Sequence, residues 1–279
     1  MPDTAACKAA HPRLFAPSRR ILWRNRLTVL GLAALFLWCL VDFGAGPARI
    51  WTGLTRLGRI FGFMFPPHLW TDWASFRPVL TGLAETLTMA FLGTVLGALM
   101  AFPLSLLGAE NLNRLPVLRF AVRRGFDAMR ALETLILALI FIRAFGLGPL
   151  AGVLAIAVSE IGGFAKLFAE AFENTSQRPL DGVRASGGSG LQAIRIGMLP
   201  QVMPVIMSIV LYNFESNLRS GTILGIVGAG GIGYLLSQNI ATYRWDVAWS
   251  IIFLIVVMVY AVDTVSARIR RSLMEGGAA

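Results

Sequence analysis

With 279 residues, 56% of them hydrophobic and only 14% charged, the chain lacks the polar surface that covers a water-facing globule. Its mean hydropathy of +0.68 leaves room for roughly five or six membrane-spanning helices plus loops. The net charge of +10 would point to nucleic acid in a soluble protein, yet no basic stripe interleaved with exposed aromatics is present, so nucleic acid is excluded as a partner.

Residues 1–26 form a basic tail ending in Arg19, Arg20, Arg24 and Arg26. The apolar run Leu27–Phe43 that follows exceeds a signal-peptide core, and an uncleaved first transmembrane helix is expected. Residues 44–78 read as an outer-face segment. Within it Ile50, Trp51, Leu54, Leu57, Ile60 and Phe61 recur at helical spacing among Arg49, Arg56 and Arg59, the pattern of an amphipathic interfacial helix. Pro66-Pro67 ends it, and Trp70, Trp73 and Phe76 are interfacial aromatics.

The remaining apolar segments are Val79–Leu107, Leu132–Phe145, Leu150–Phe172, Val202–Leu224 and Val247–Val265. They define a core domain over 79–271 and leave a short tail, 272–279. Continuously apolar runs in lipid must be helices, because an open strand edge has no hydrogen-bond partners there. The expected fold is therefore an all-α integral membrane protein of about six transmembrane helices. With six spans and the N-terminus inside, seventeen basic residues fall on the cytoplasmic side and six outside, which places both termini in the cytoplasm.

Several chemistries are missing. The only lysines, Lys8 and Lys166, do not follow a glycine, so no phosphate-binding loop of the Walker type exists, and any ATP must be bound by another subunit. His11 and His68 have no metal-ligand spacing with Cys7 or Cys39, so no metal is expected, and no disulfide framework either. Gly228, Gly230 and Gly231, with Gly233, fit a dinucleotide fingerprint, but that fingerprint requires a strand–turn–helix context. Between membrane spans these small residues instead permit close packing, or a broken re-entrant segment that could gate a path.

The stretch 173–200 between the fourth and fifth apolar segments is the most specific. Pro179 can open a short helix and Gly187 can close it in the left-handed conformation, after which Leu191–Ile196 leads into a span begun by Pro200. A short helix held between two spans moves rigidly with them. This stretch resembles the EAA loop of ABC importer permeases, with Asp181 in the acidic position, Gly187 as the glycine and Leu199-Pro200 closing the motif. Gly182 and Val183 replace the two alanines, and Gly197 replaces an isoleucine. The flanks Ser159–Ala171, Leu211–Ser220 and Gly225–Gly233 add to the likeness, which covers roughly Leu80 to Arg271 and is closest to the permease subunit of phosphonate-type importers.

The resemblance implies a type I, methionine-permease-like architecture in a bacterial inner membrane. It also implies a homodimer of two permease copies, two cytoplasmic ABC ATPase subunits, an extracytoplasmic substrate-binding protein and surrounding lipid. ATP and Mg would belong to the ATPase, and this chain would carry no cofactor and no catalytic residue. Asp181, Gly182, Val183, Arg184, Ala185 and Gly187, with Leu199 and Pro200, would form the ATPase-coupling loop. The implied cargo is phosphonate or a related reduced-phosphorus oxyanion such as phosphite or hypophosphite.

Ionisable residues inside spans are functional candidates because lipid penalises them. Glu215 and Arg219, at i and i+4, are expected to pair on one helix face, either lining the path of an anion or forming a structural ion pair. Glu85, in the outer half of its span, is the third candidate. Two other readings stay open: a permease of the same architecture for another small solute such as an amino acid, and an ion-coupled secondary transporter in which Glu215 or Glu85 carries protons. The latter usually shows internal repeats, which are not evident here.

Overall fold

The computed structural model describes residues 19–113 and 115–275. The basic tail through Ser18, Arg114 and the last four residues lie outside them. Among the described residues every regular element is helical, and the chain divides into two compact units, Met1–Phe63 and Met64–Ala279.

The first unit contains α1 (Arg19–Asp42) and most of α2 (Pro47–Met64). α1 includes the span Trp23–Asp42, in which no residue is buried, as suits a helix apolar on all sides and solvated by lipid tails. α2 concentrates its apolar residues on one side, also with none buried.

The second unit is a helical bundle. α3 (Trp73–Gly108) is 36 residues long and packs along α6 (Pro149–Glu173). Gly93 and Gly97 allow the close approach: a Cβ at Gly93 would lie 2.7 Å from Ile156 Cβ, and one at Gly97 2.9 Å from the Ala157 carbonyl oxygen. α7 is the short helix Arg178–Ala185. α8 (Gly190–Gln192) runs through a π-helical stretch, Ala193–Met198, into α9 (Leu199–Leu224). A second π-helical stretch, Gly225–Ala229, precedes α10 (Gly231–Ala241), and α11 (Trp245–Glu275) ends the bundle.

Among the described residues five helices are long and apolar enough to cross a membrane, where the sequence suggests about six spans. The difference lies in the third apolar segment. It forms α5 (Thr134–Phe145), a shorter apolar helix of 12 residues and about 18 Å, which carries the chain back to the start of α6 so that α6 runs in the same direction as α3. The preceding Arg-rich stretch is not a loop but a second helix, α4 (Pro116–Arg130), and both run antiparallel to α6. Thr134 Oγ1 donates to Ser159 Oγ at 3.1 Å, Lys166 pairs with Asp127 at 3.3 Å, and Arg123 pairs with Glu173. The charges of α4 are thus used against the polar end of α6, which is why a hydropathy reading misses the helix.

The start of the fifth segment also differs. Pro200 stands in the first turn of α9, as expected, but the helical path into it begins earlier. Ser189 caps α8 with its hydroxyl on Gln192 N–H, and the Gln192 side chain accepts from Ser189 N–H, a complete capping box. The helix then continues to Leu199 through the π-helical stretch, where Leu199 N–H reaches back to the Ile194 carbonyl. Widened turns of this kind accommodate Pro200, which has no N–H to donate.

Candidate functional site

Two places in the bundle gather the sequence-derived candidates. At the end away from the α3 N-terminus, α7 is fixed by Leu180, 2% exposed, in a core with Phe168, Phe172, Met198 and Val202. Gly197, which stands where the resembling motif has an isoleucine, has a local reason: a Cβ there would lie 3.1 Å from Leu180 Cα and 3.2 Å from the Pro179 carbonyl carbon. The glycine lets the α7 backbone rest directly on the widened turn leading into α9. Pro179 stands in the first turn of α7, and Gly187 follows its end at φ +81°, a conformation that a Cβ disfavours.

With Leu180 turned inward, Asp181, Gly182, Arg184, Ala185 and Gly187 are exposed, while Val183 is half-buried. Asp181 and Arg184 approach at 3.4 Å one turn apart. Leu191 is 81% exposed and Ile196 62%, so an apolar surface lies beside this polar helix. Leu199 is half-buried and Pro200 exposed.

The second place is the glycine break. Gly228 has φ +108°, Gly230 +81° and Gly231 +73°, so the chain turns sharply and α10 starts anew. Its first two N–H groups are capped from α3: Gly231 donates to Glu85 Oε2 at 3.0 Å, and Ile232 to Thr86 Oγ1 at 2.9 Å. A carboxylate at a helix N-terminus satisfies orphan donors and complements the helix dipole. Glu85 therefore acts as a cap on a broken helix, a role the sequence did not suggest. Gly225 and Gly233 hold the two limbs together, since a Cβ at Gly225 would sit 2.5 Å from the Gly230 carbonyl oxygen.

Beneath the break, Asn217 donates to Thr94 Oγ1 at 3.1 Å between α9 and α3, both groups buried. The expected Glu215–Arg219 pair does not form. Glu215 is buried and points to Arg270 of α11, with Oε1 and Nη1 2.6 Å apart. The approach is charge on charge, without the alignment of a hydrogen bond. Ser208 Oγ and Asp263 Oδ1 are likewise buried without hydrogen-bond partners. Arg219 is on the exposed face of α9, with no carboxylate within ion-pair distance among the described residues. Sequence spacing alone would not have found Arg270, which lies on a different helix.

A cavity of about 710 Å³ lies between α3, α9 and α11, lined by residues such as Leu87, Phe91, Leu211, Phe214 and Val262. It carries no charged group, and its hydroxyls are few, so it is unsuited to an oxyanion. No group of three or more His, Cys, Asp or Glu side chains placed to hold a metal occurs among the described residues.

Residues 93–274 match the family model described as binding-protein-dependent transport system inner membrane component. The chain is 37% identical over 268 residues to the phosphate-import permease protein PhnE of Mycolicibacterium smegmatis, covering 94% of this chain and 49% of that one. It thus spans about half the length of that relative. Over 243 residues it is 31% identical to the phosphite transport system permease protein PtxC of Stutzerimonas stutzeri, covering 87% of this chain and 86% of the relative. The fold matches the MetNI methionine ABC transporter in inward-facing conformations, with a TM-score of 0.64 at 21% identity, covering 73% of this chain and 99% of that one. Apolar spans, a helix set on a glycine between two of them, and a family match over most of the bundle agree. The chain belongs to the family of multi-pass inner-membrane components of binding-protein-dependent transport systems.

Proposed function

We propose that this chain is the permease subunit of an ATP-driven importer that moves phosphonate, or a related phosphorus oxyanion such as phosphite or hypophosphite, across the plasma membrane. The cargo class is supported by the names of the relatives, which are phosphate and phosphite permeases. The likeness to the methionine transporter carries the fold alone.

The observation that carries the mechanical reading is the seating of α7. Its inner face is locked by Leu180 and Gly197, and its outer face presents Asp181, Gly182, Arg184, Ala185 and Gly187 to a partner. Two ATPase subunits bind ATP and Mg and receive this helix, one for each of two identical permease copies. An extracytoplasmic binding protein delivers the anion. Both termini are cytoplasmic, and the permease has no ATPase site of its own. Closure of the ATPases moves α7, and with it α9, which it touches through Gly197. The glycine break at Gly228, Gly230 and Gly231 with its Glu85 cap gates the path, and Arg219 lines it, while Glu215 serves as a structural partner of Arg270.

The test is purification of the chain from its native membrane with identification of what accompanies it. Recovery of an ATPase subunit, lost when Asp181 is reversed in charge and Gly187 is replaced by Asp, supports the reading. Transport-active protein free of any ATPase overturns it in favour of an ion-coupled transporter.

A further inference from the structure

The departure of Glu215 to Arg270 leaves Arg219 as an arginine without a carboxylate partner on an exposed helix face, and its depth is fixed by its neighbours. Two residues before it, Asn217 bonds Thr94; two residues after it, a Cβ at Gly221 would touch Thr86 Cγ2 at 3.5 Å. Arg219 therefore lies level with the stretch of α3 between Thr86 and Thr94. That is about 20 Å along the helix from Arg77 at the outer end, close to the bilayer midplane. Snorkelling to either interface does not reach that depth, and an arginine facing lipid there is costly.

The face it occupies is not uniformly apolar. Tyr212, Ser216, Arg219, Ile223 and Ile226 follow one another at helical spacing, Tyr212 being 64% exposed. The opposite face of α9 carries the buried Asn217 and Gly221 against α3, while Glu215, beside Arg219 on the helix, turns to α11. At the same depth α10 begins, since Thr86 accepts from Ile232 N–H, so a half-helix N-terminus and an unpaired cation share one level.

We propose that Arg219 gives the permease its own recognition of a tetrahedral phosphorus oxyanion at mid-depth of the path, independent of the binding protein. A second copy of the chain sets a second Arg219 at the same level, so that a dianion passes between two guanidinium groups. Tyr212 and Ser216 supply neutral donors on the same face, and the Glu215–Arg270 pair keeps the one nearby carboxylate of α9 occupied. This inference rests on the importer reading above.

The test is uptake of labelled methylphosphonate and phosphite, alongside ATP hydrolysis, by the complete transporter in proteoliposomes. Arg219→Gln lowers uptake about tenfold or more, the loss expected for a charge-assisted hydrogen bond. Stimulation of ATP hydrolysis by the binding protein persists. Arg219→Lys, which keeps the charge, recovers part of the uptake, and Arg56→Gln leaves it unchanged. Wild-type uptake by Arg219→Gln overturns the proposal while leaving the importer reading intact. Failure of both Arg219 variants to assemble assigns the residue to the dimer interface and also overturns it. Absence of ATP-dependent uptake in the wild type sinks the importer reading itself.

Discussion

Glu215 of α9 and Arg270 of α11 meet at 2.6 Å across a helix seam, the arginine side chain 25% exposed and the glutamate 11%. Truncating one partner leaves the other charge buried and uncompensated. Arg270→Ala is expected to destabilise the bundle by about 3–5 kcal/mol, whereas the double change Glu215→Met with Arg270→Leu costs much less. Thermal aggregation of the detergent-solubilised protein measures both. Equal loss in the single and double variants would show that packing, not charge pairing, holds the seam.

Gly233 and Gly152 make a matched pair for the role of close packing. A Cβ at Gly233 would collide with the Thr222 carbonyl oxygen, which is backbone; one at Gly152 would collide with the Met89 sulfur, the flexible part of a side chain. Gly233→Ala is expected to abolish a stably folded protein, while Gly152→Ala costs about 1–3 kcal/mol as Met89 moves aside. Yield of monodisperse protein in size-exclusion chromatography separates the two.

Leu180 and Asp181 are neighbours with opposite duties. Leu180→Ala empties a well-packed site and costs about 2–5 kcal/mol, felt locally as a loosened α7. Charge reversal of Asp181, exposed, leaves stability unchanged. Transporters assembled with either variant are expected to insert normally and their ATPase subunits to hydrolyse ATP without cargo moving, read as a fall in the ratio of substrate transported to ATP consumed. An unchanged ratio in both removes α7 from the coupling route.

Glu85 caps α10 through one oxygen. Glu85→Gln keeps an acceptor there, and Glu85→Ala removes it, so the alanine variant is expected to lose about 1 kcal/mol more. Hydrogen exchange at Gly231 and Ile232 reports the cap directly. Equal protection in the two variants would mean that Thr86 alone holds the helix end.

Long apolar runs were readable because α3, α6 and α11 need little beyond hydropathy to be recognised, and α7 because Pro179 and Gly187 punctuate it. α4 was not, since Arg119, Arg123, Arg124 and Arg130 look like a cytoplasmic loop until Asp127 and Glu173 are seen to take up part of that charge. The start of α8 was hidden behind Pro200, which marks the start of α9, while Ser189 caps the turn that precedes it. Spacing predicted a Glu215–Arg219 pair because those residues are adjacent on a helix. A partner 55 positions along the chain on another helix leaves no local pattern. Glu85 was legible as an expensive charge, and its service to α10 was not.

The capping box at Ser189 starts a helical rod that runs from Gly190 to the break at Gly228, about 57 Å long, nearly twice the hydrocarbon thickness. Its arms about the level of Arg219 are unequal, roughly 44 Å toward α7 and 12 Å toward the glycine break. A rod pivoting there works as a reducing lever. A sideways displacement of about 6 Å at the α7 end turns it by about 8° and moves the far end about 2 Å the other way, with nearly fourfold greater force. The outer limb then needs only a small, stiff motion to change state, which suits tightly packed glycines far better than a wide swing would.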